Sequence, residues 1–292
     1  LGLGWDELRA VNPDLVYCSV SGYGPDGPYA QRRVYDPIIQ GLTGHVAIQL
    51  NPEVPIPDLV RNIVSDKASA YTAAQAITAA LLARERGAGG QRIDVPMIDA
   101  SLAFFWPDGM MKHTLIGEDV NPGPALYDMY RLWETADGRI IWFAATDSEY
   151  FGLFRALERP EWCEDERFSS MAARHENAAE LGTELLREIA KHPTKVLLAR
   201  MIEEDVPAGA VLSIEEMCED EQLQHNEAIT EVDHPAAGRI RMARPPARFG
   251  RTSHTIERLS PSLGEHTEEV LAELGFSAER IERLKQEKVV GP

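Results

Sequence analysis

The stretch from Ile63 to Gly87 constrains this chain most. Ile63-Val64 leads to a Ser65-Asp66 pair, and the alanine-rich run from Lys67 to Arg86 that follows contains neither glycine nor proline. Such a run reads as one long helix that stops at Gly87. Asp66 therefore stands where the helix begins. An aspartate there can accept hydrogen bonds from the unpaired first-turn amides, and it faces the positive end of the helix dipole, which makes it a cap candidate. It can also be a nucleophile: a fixed carboxylate attacks an activated carbonyl while nearby amides stabilise the oxyanion. The local sequence admits both readings, so the surroundings must decide.

Upstream, a short helix from Trp5 to Ala10 precedes a strand, Leu15 to Val20. That strand runs into Ser21-Gly22-Tyr23-Gly24-Pro25-Asp26-Gly27-Pro28-Tyr29, a glycine- and proline-rich loop at a strand's carboxyl end, which is where open α/β sheets place ligands. One strand does not make a sheet, and an upstream portion is expected to be missing from this sequence. Arg33, Tyr35 and Asp36 then lie close together in Gln31-Arg32-Arg33-Val34-Tyr35-Asp36-Pro37-Ile38-Ile39-Gln40-Gly41. They read either as a solvated charged loop or as an anion site, with the Arg33 fork meeting a phosphate and the Tyr35 hydroxyl orienting a carboxylate. Asn51 to Asp58 is an irregular proline-rich loop that returns the chain to Asp66. The glycines from Gly87 to Gly90 end the helix, and because they follow a helix they read as a C-cap, not a phosphate cradle. Arg92 to Met97 is a second strand.

Composition excludes several classes. With 292 residues, 44% of them hydrophobic, the chain can bury a core and divide into two domains. A formal net charge of −18 argues against binding nucleic acid or an anionic membrane, so a phosphate-bearing ligand must be met by local basic residues. Cys18, Cys163 and Cys218 are far apart and lack CxxC spacing, which points to a reducing, cytoplasmic setting and offers neither a disulfide framework nor a metal site. No apolar run approaches the roughly twenty residues that span a bilayer, and no signal peptide is expected.

An ordered set of motifs resembles family III coenzyme A transferases, the group that includes formyl-CoA transferase and carnitine CoA-transferase, with alpha-methylacyl-CoA racemase as a relative. The set runs from Leu1-Gly2-Leu3-Gly4 through Asn12-Pro13-Asp14 to Ser21-Gly22-Tyr23-Gly24, then Tyr35-Asp36 and Arg84 to Gln91. It continues with Pro160-Glu161-Trp162, Val206-Pro207-Ala208-Gly209, His234-Pro235 and Pro261-Ser262-Leu263-Gly264-Glu265-His266-Thr267.

The resemblance implies an α/β fold with a Rossmann-like large domain, incomplete here, and a smaller α+β domain, with two chains interlocked in a homodimer. Its domain plan assigns residues 1–124 to the large domain, 125–225 to the small domain and 226–292 to a return segment. It implies that Asp66 is the catalytic aspartate and forms an aspartyl-CoA thioester, and that Tyr35 is an active-site tyrosine. Arg33 and Asp36 are expected to contact CoA or substrate. The substrates it implies are an acyl-CoA and a carboxylic acid, with no metal required.

Two alternatives remain. One is a racemase, for which relatives resemble Gly-His-Asp where this chain has Val34-Tyr35-Asp36; tyrosine is a poor general base near pH 7, which favours transfer. The other is a catalytically inactive CoA-binding scaffold. In the second half, a hairpin is expected from Tyr127 to Ala144 turning at Asp137-Gly138. Helices are expected over Ser148–Leu157, Asn177–Lys191, Thr194–Glu204 and around Glu265–Leu274, with a strand over Gly238–Met242.

Overall fold

A computed structural model describes residues 2–49, 57–121, 123–252, 256 and 258–290. Most of the expected loop Asn51–Asp58, residues 51–56, lies outside the described residues, as does Leu1 of the motifs above. The chain forms two units, Leu1–Arg131 and Leu132–Pro292.

In the first unit, α1 (Trp5–Val11) leads to β1 (Val16–Ser21). Next comes α2 (Asp36–Leu42), a helix where the sequence reads as a charged loop. Pro37 sits in its first turn, where a missing N–H costs nothing and the fixed φ suits the helix. The long helix is α3 (Val64–Ala83), followed by β2 (Gln91–Pro96), which pairs with β1 in parallel from Val16↔Gln91 to Ser21↔Pro96. Parallel strands need a crossover, and α2 and α3 supply it. A wide turn ends α3 at Arg84–Ala88, with Gly87 at φ 91°, so the glycine run terminates the helix as expected. Gly90 lets β2 begin against the start of β1: a Cβ there would lie 2.4 Å from the Leu15 carbonyl oxygen.

Directly from β2 the chain enters α4 (Met97–Gly109), a helix not anticipated from the sequence, which packs on α3 and α2. Ile39, Ala68, Ala80, Val95, Ala100 and Phe105 form the apolar interior of this unit. Buried among them is a polar seam of Asp36, Gln40, Thr43, His45, Ser65, Ser69 and Ser101.

The second unit opens with the expected hairpin, β3 (Trp133–Glu134) and β4 (Arg139–Trp142), turning at Asp137-Gly138. Asp137 Oδ1 also accepts the Thr194 backbone N–H at 2.7 Å, so the turn caps a distant helix as well. Helices α5 (Asp147–Ala156), α6 (Met171–Glu176), α7 (Ala178–Ile189) and α8 (Thr194–Glu203) follow. β5 (Ala208–Ala210) then pairs with β4. The core here is aromatic and aliphatic, with Leu153, Phe154, Trp162, Phe168, Ile189, Leu197 and Met201 fully buried or nearly so. Two short helices, α9 (Ile214–Cys218) and α10 (Glu221–His225), precede a hairpin of β6 (Ile229–His234) and β7 (Gly238–Ala243). The chain closes with α11 (Thr267–Glu273), at the expected place, and α12 (Ala278–Gln286), which was not anticipated. Among the described residues no helix is long and apolar enough to cross a membrane.

Candidate active site

Two acids stand at the start of α3, and their surroundings differ sharply. Asp36, the first residue of α2, is 4% exposed, and its carboxylate reaches across to the next long helix. Oδ2 accepts the backbone N–H of Ser65 at 2.7 Å and that of Asp66 at 3.1 Å. Oδ1 accepts from the side-chain amide of Gln40. Both oxygens of Asp36 are thus engaged by the protein itself.

Asp66 is not the cap expected from the sequence. The cap position is Ile63, which contributes no side-chain bond, and Asp66 is the third residue of the helix. The capping acceptor comes from thirty positions upstream, which releases the Asp66 side chain. That side chain is exposed, and among the described residues it makes no hydrogen bond or ion pair. The expectation that free first-turn amides stabilise an oxyanion is also corrected. Val64 N–H donates to the Asn62 carbonyl at 2.7 Å, Lys67 N–H donates to the Ile63 carbonyl at 3.1 Å, and Asp36 takes the two between. What the helix start offers a reacting group is its dipole.

Beneath Asp66, Gln40 is 1% exposed. Its Nε2 donates to the carbonyls of Val60 at 3.2 Å and Asn62 at 3.1 Å, and its Oε1 accepts the Val60 N–H at 3.0 Å. On the other side of the helix start, the Ser65 and Ser101 hydroxyls are 2.9 Å apart, as are those of Ser101 and Thr43. Lys67 lies on the outside and donates to Asn62 Oδ1 at 2.7 Å. His45 is buried, and its Nε2 has no partner among the described residues. Burial pushes its pKa below the usual imidazole value, although a hydrogen bond with the Ser101 backbone and the charges of Asp36 and Asp108 pull the other way.

Tyr35 occupies the N-cap position of α2 and is 76% exposed, with Arg33 exposed two residues before it. Among the described residues neither side chain has a hydrogen bond or ion pair, whereas neighbouring Arg32 stacks on the Tyr29 ring, its Cζ 3.7 Å from the centroid. Of the four residues singled out in the sequence, direct contact joins Asp36 and Asp66; Arg33 and Tyr35 are tied to them by chain adjacency. Gln40, Ser65, Ser101 and Thr43 were missed. The one local signal was Gln40 four residues after Asp36, one helical turn on. A cavity of about 530 Å³ in the same unit is lined by Ile48, Phe105, Met110, Tyr127 and Tyr130 among others, and Asp66 is not part of its wall. Among the described residues no group of three or more His, Cys, Asp or Glu side chains is placed to hold a metal ion.

The family model for CoA-transferase family III matches residues 1–267. The chain belongs to that family. As a family III CoA-transferase it moves coenzyme A between an acyl-CoA and carboxylic acids. It is 33% identical over 285 residues to the succinate–glutarate CoA-transferase of Agrobacterium fabrum, a match covering 97% of this chain and 70% of the relative. It is 30% identical over 300 residues to the succinyl-CoA–D-citramalate CoA-transferase of Chloroflexus aurantiacus, covering 99% of this chain and 73% of that one. The crystal structure of a CAIB/BAIF family protein from Brucella suis superposes with a TM-score of 0.76 at 29% identity, covering 94% of this chain and 71% of that one.

Proposed function

We propose that this CoA-transferase works by covalent catalysis through Asp66. In the first step the Asp66 carboxylate attacks the donor thioester carbonyl, which forms an acyl-aspartyl anhydride and expels CoA thiolate. The thiolate then attacks the aspartyl carbonyl, which yields an aspartyl-CoA thioester and releases the donor acid as its carboxylate. The acceptor carboxylate attacks that thioester to form a new anhydride and thiolate. Attack of the thiolate on the acceptor's acyl carbonyl makes the product acyl-CoA and returns Asp66. One thioester is exchanged for another, so no external energy source is needed, and the protein's task is alignment and exclusion of water.

The observation that carries this reading is the contrast at the start of α3. Asp36 is consumed by protein hydrogen bonds, while Asp66 beside it is exposed and unengaged among the described residues. The Arg33 guanidinium is proposed to hold a CoA phosphate and the Tyr35 hydroxyl to orient the substrate carboxylate, roles supported by their exposure and their closeness in sequence to Asp36. The named relatives act on succinyl, glutarate and citramalate groups. Succinyl-CoA as donor and a short dicarboxylic acid as acceptor is accordingly the substrate pair we propose.

The same reading includes a Rossmann-like large domain and a cytoplasmic homodimer. Pairing is supported by large apolar side chains left exposed on α3 and α4, among them Tyr71, Leu82, Phe104 and Trp106. A CoA-exchange screen of carboxylic acids against succinyl-CoA and acetyl-CoA tests the proposal. Turnover is expected with succinyl-CoA and C4 or C5 dicarboxylates; exchange confined to other acids would overturn the substrate assignment, and exchange unaffected by Asp66→Asn would overturn the mechanism.

A further inference from the structure

We propose that Gln40 is a positioning residue for CoA transfer, setting the direction of the Asp66 carboxylate through Asp36 and the backbone that leads into α3. The proposal rests on the reading of Asp66 as the covalent carrier. Asp66 makes no side-chain hydrogen bond among the described residues, so its direction is set by its own backbone at the first turn of α3. Two of the restraints on that backbone depend on Gln40.

The first runs through Asp36. Its Oδ2 holds the Ser65 and Asp66 N–H groups, and its Oδ1 is held in turn by Gln40 Nε2. Without that donor, the Asp36 carboxylate is free to rotate about its Cβ–Cγ bond and loosen the two amides. The second restraint is the segment entering the helix. Gln40 bonds Val60 at both N–H and carbonyl and reaches the Asn62 carbonyl, the same oxygen that accepts the Val64 N–H at 2.7 Å. A single side chain, 1% exposed and with both ends of its amide in use, thus ties α2, the 60–62 segment and the start of α3 together. Glutamine suits this place because one end must donate to a carboxylate and carbonyls while the other accepts a backbone N–H. An apolar side chain of the same length fills the space and does neither. Reacting atoms must be held within a fraction of an ångström of the productive line, and a 1 Å misplacement costs on the order of a hundredfold in rate. Gln40 touches no substrate on this account and acts through Asp36 and the backbone.

The test compares the wild-type chain with Gln40→Met, using succinyl-CoA and a dicarboxylic acid it accepts. Steady-state kinetics is read together with hydroxylamine trapping of the Asp66 adduct by peptide mass. The expected result is a kcat lower by about ten- to a hundredfold, a KM for succinyl-CoA within about twofold of wild type, and trapping at Asp66 slowed by the same factor as kcat. Unchanged kcat and trapping, or a raised KM at full kcat, would overturn the proposal. Failure of wild type itself to trap at Asp66 would instead overturn the reading of Asp66, so the two failures are told apart. Should Gln40→Met not fold, Asp36→Asn, which keeps the side chain's shape and one acceptor, is expected to show the same fall in kcat at constant KM. A full wild-type rate in that variant would count against the proposal equally.

Discussion

The carboxylate of Asp36 accepts the backbone N–H of Asp66 at 3.1 Å, so of two acids meeting at one helix start, one holds the other in place. A buried negative charge beside the first turn of α3 is favourable because it satisfies two amides and complements the helix dipole. The arrangement divides the labour between a structural acid and an exposed one.

Removing the structural acid should be costly. Asp36→Ala leaves the Ser65 and Asp66 amides and the Gln40 side chain without their acceptor in a buried place, and is expected to destabilise the protein by about 3 kcal/mol. Urea denaturation, compared with wild type, checks this. A loss below about 0.5 kcal/mol would mean that Asp36 does not cap α3 in solution.

Stability should depend on pH through His45. Burial holds its folded-state pKa below the unfolded value of about 6.5, so the unfolded chain binds the proton more readily. The stability conferred by the neutral ring is fully present above about pH 6.5 and is lost as pH falls from there through the lowered folded value. His45→Gln is expected to flatten the fall in unfolding free energy between pH 7 and pH 5. Parallel slopes for the two proteins would contradict the assignment.

Glu188, in the second unit, titrates at the acid end. Burial raises its pKa, but the Lys191 ammonium at 2.7 Å, with the charges of Arg159 and Arg187, outweighs burial and holds it below the usual carboxyl range. Its contribution is therefore present above about pH 4.3 and disappears as pH falls through the lowered folded value. Glu188→Gln is expected to cost about 2 kcal/mol at pH 7, shrinking toward zero near pH 3. A cost independent of pH would refute an ionic origin.

The junction of β1 and β2 offers a steric check. A Cβ at Gly90 would lie 2.4 Å from the Leu15 carbonyl oxygen and 2.5 Å from the Asp14 carbonyl carbon, backbone atoms with no side-chain freedom to yield. Gly90→Ala is expected to lower stability by about 2 kcal/mol. Thermal melting at wild-type temperature would show that the strands can separate there at little cost.

Much of this fold was legible wherever punctuation was local. The absence of glycine and proline from Lys67 to Arg86 gave α3, Gly87 gave its end, and Asp137-Gly138 gave the hairpin. What was not legible depended on distant partners. The start of α2 lay hidden because Pro37 follows residues typical of a charged loop, and α4 because it leaves β2 with no intervening turn. Asp66, the nearest acid, was one candidate for the cap of α3, whereas the actual acceptor is Asp36, thirty positions earlier. No pattern of neighbours in sequence reports a hydrogen bond of that span. The family motifs pointed to Asp66 and Tyr35 but not to Gln40, whose importance lies in the bonds it makes to Asp36 and to Val60 and Asn62 some twenty positions on.

The most direct measurement of the central claim is peptide mass mapping after wild-type protein has been mixed with succinyl-CoA and quenched in hydroxylamine. A single hydroxamate at Asp66, absent in Asp66→Asn and absent without acyl-CoA, is the predicted result. Active protein whose Asp66 peptide stays unmodified, or an adduct on another residue, would contradict it.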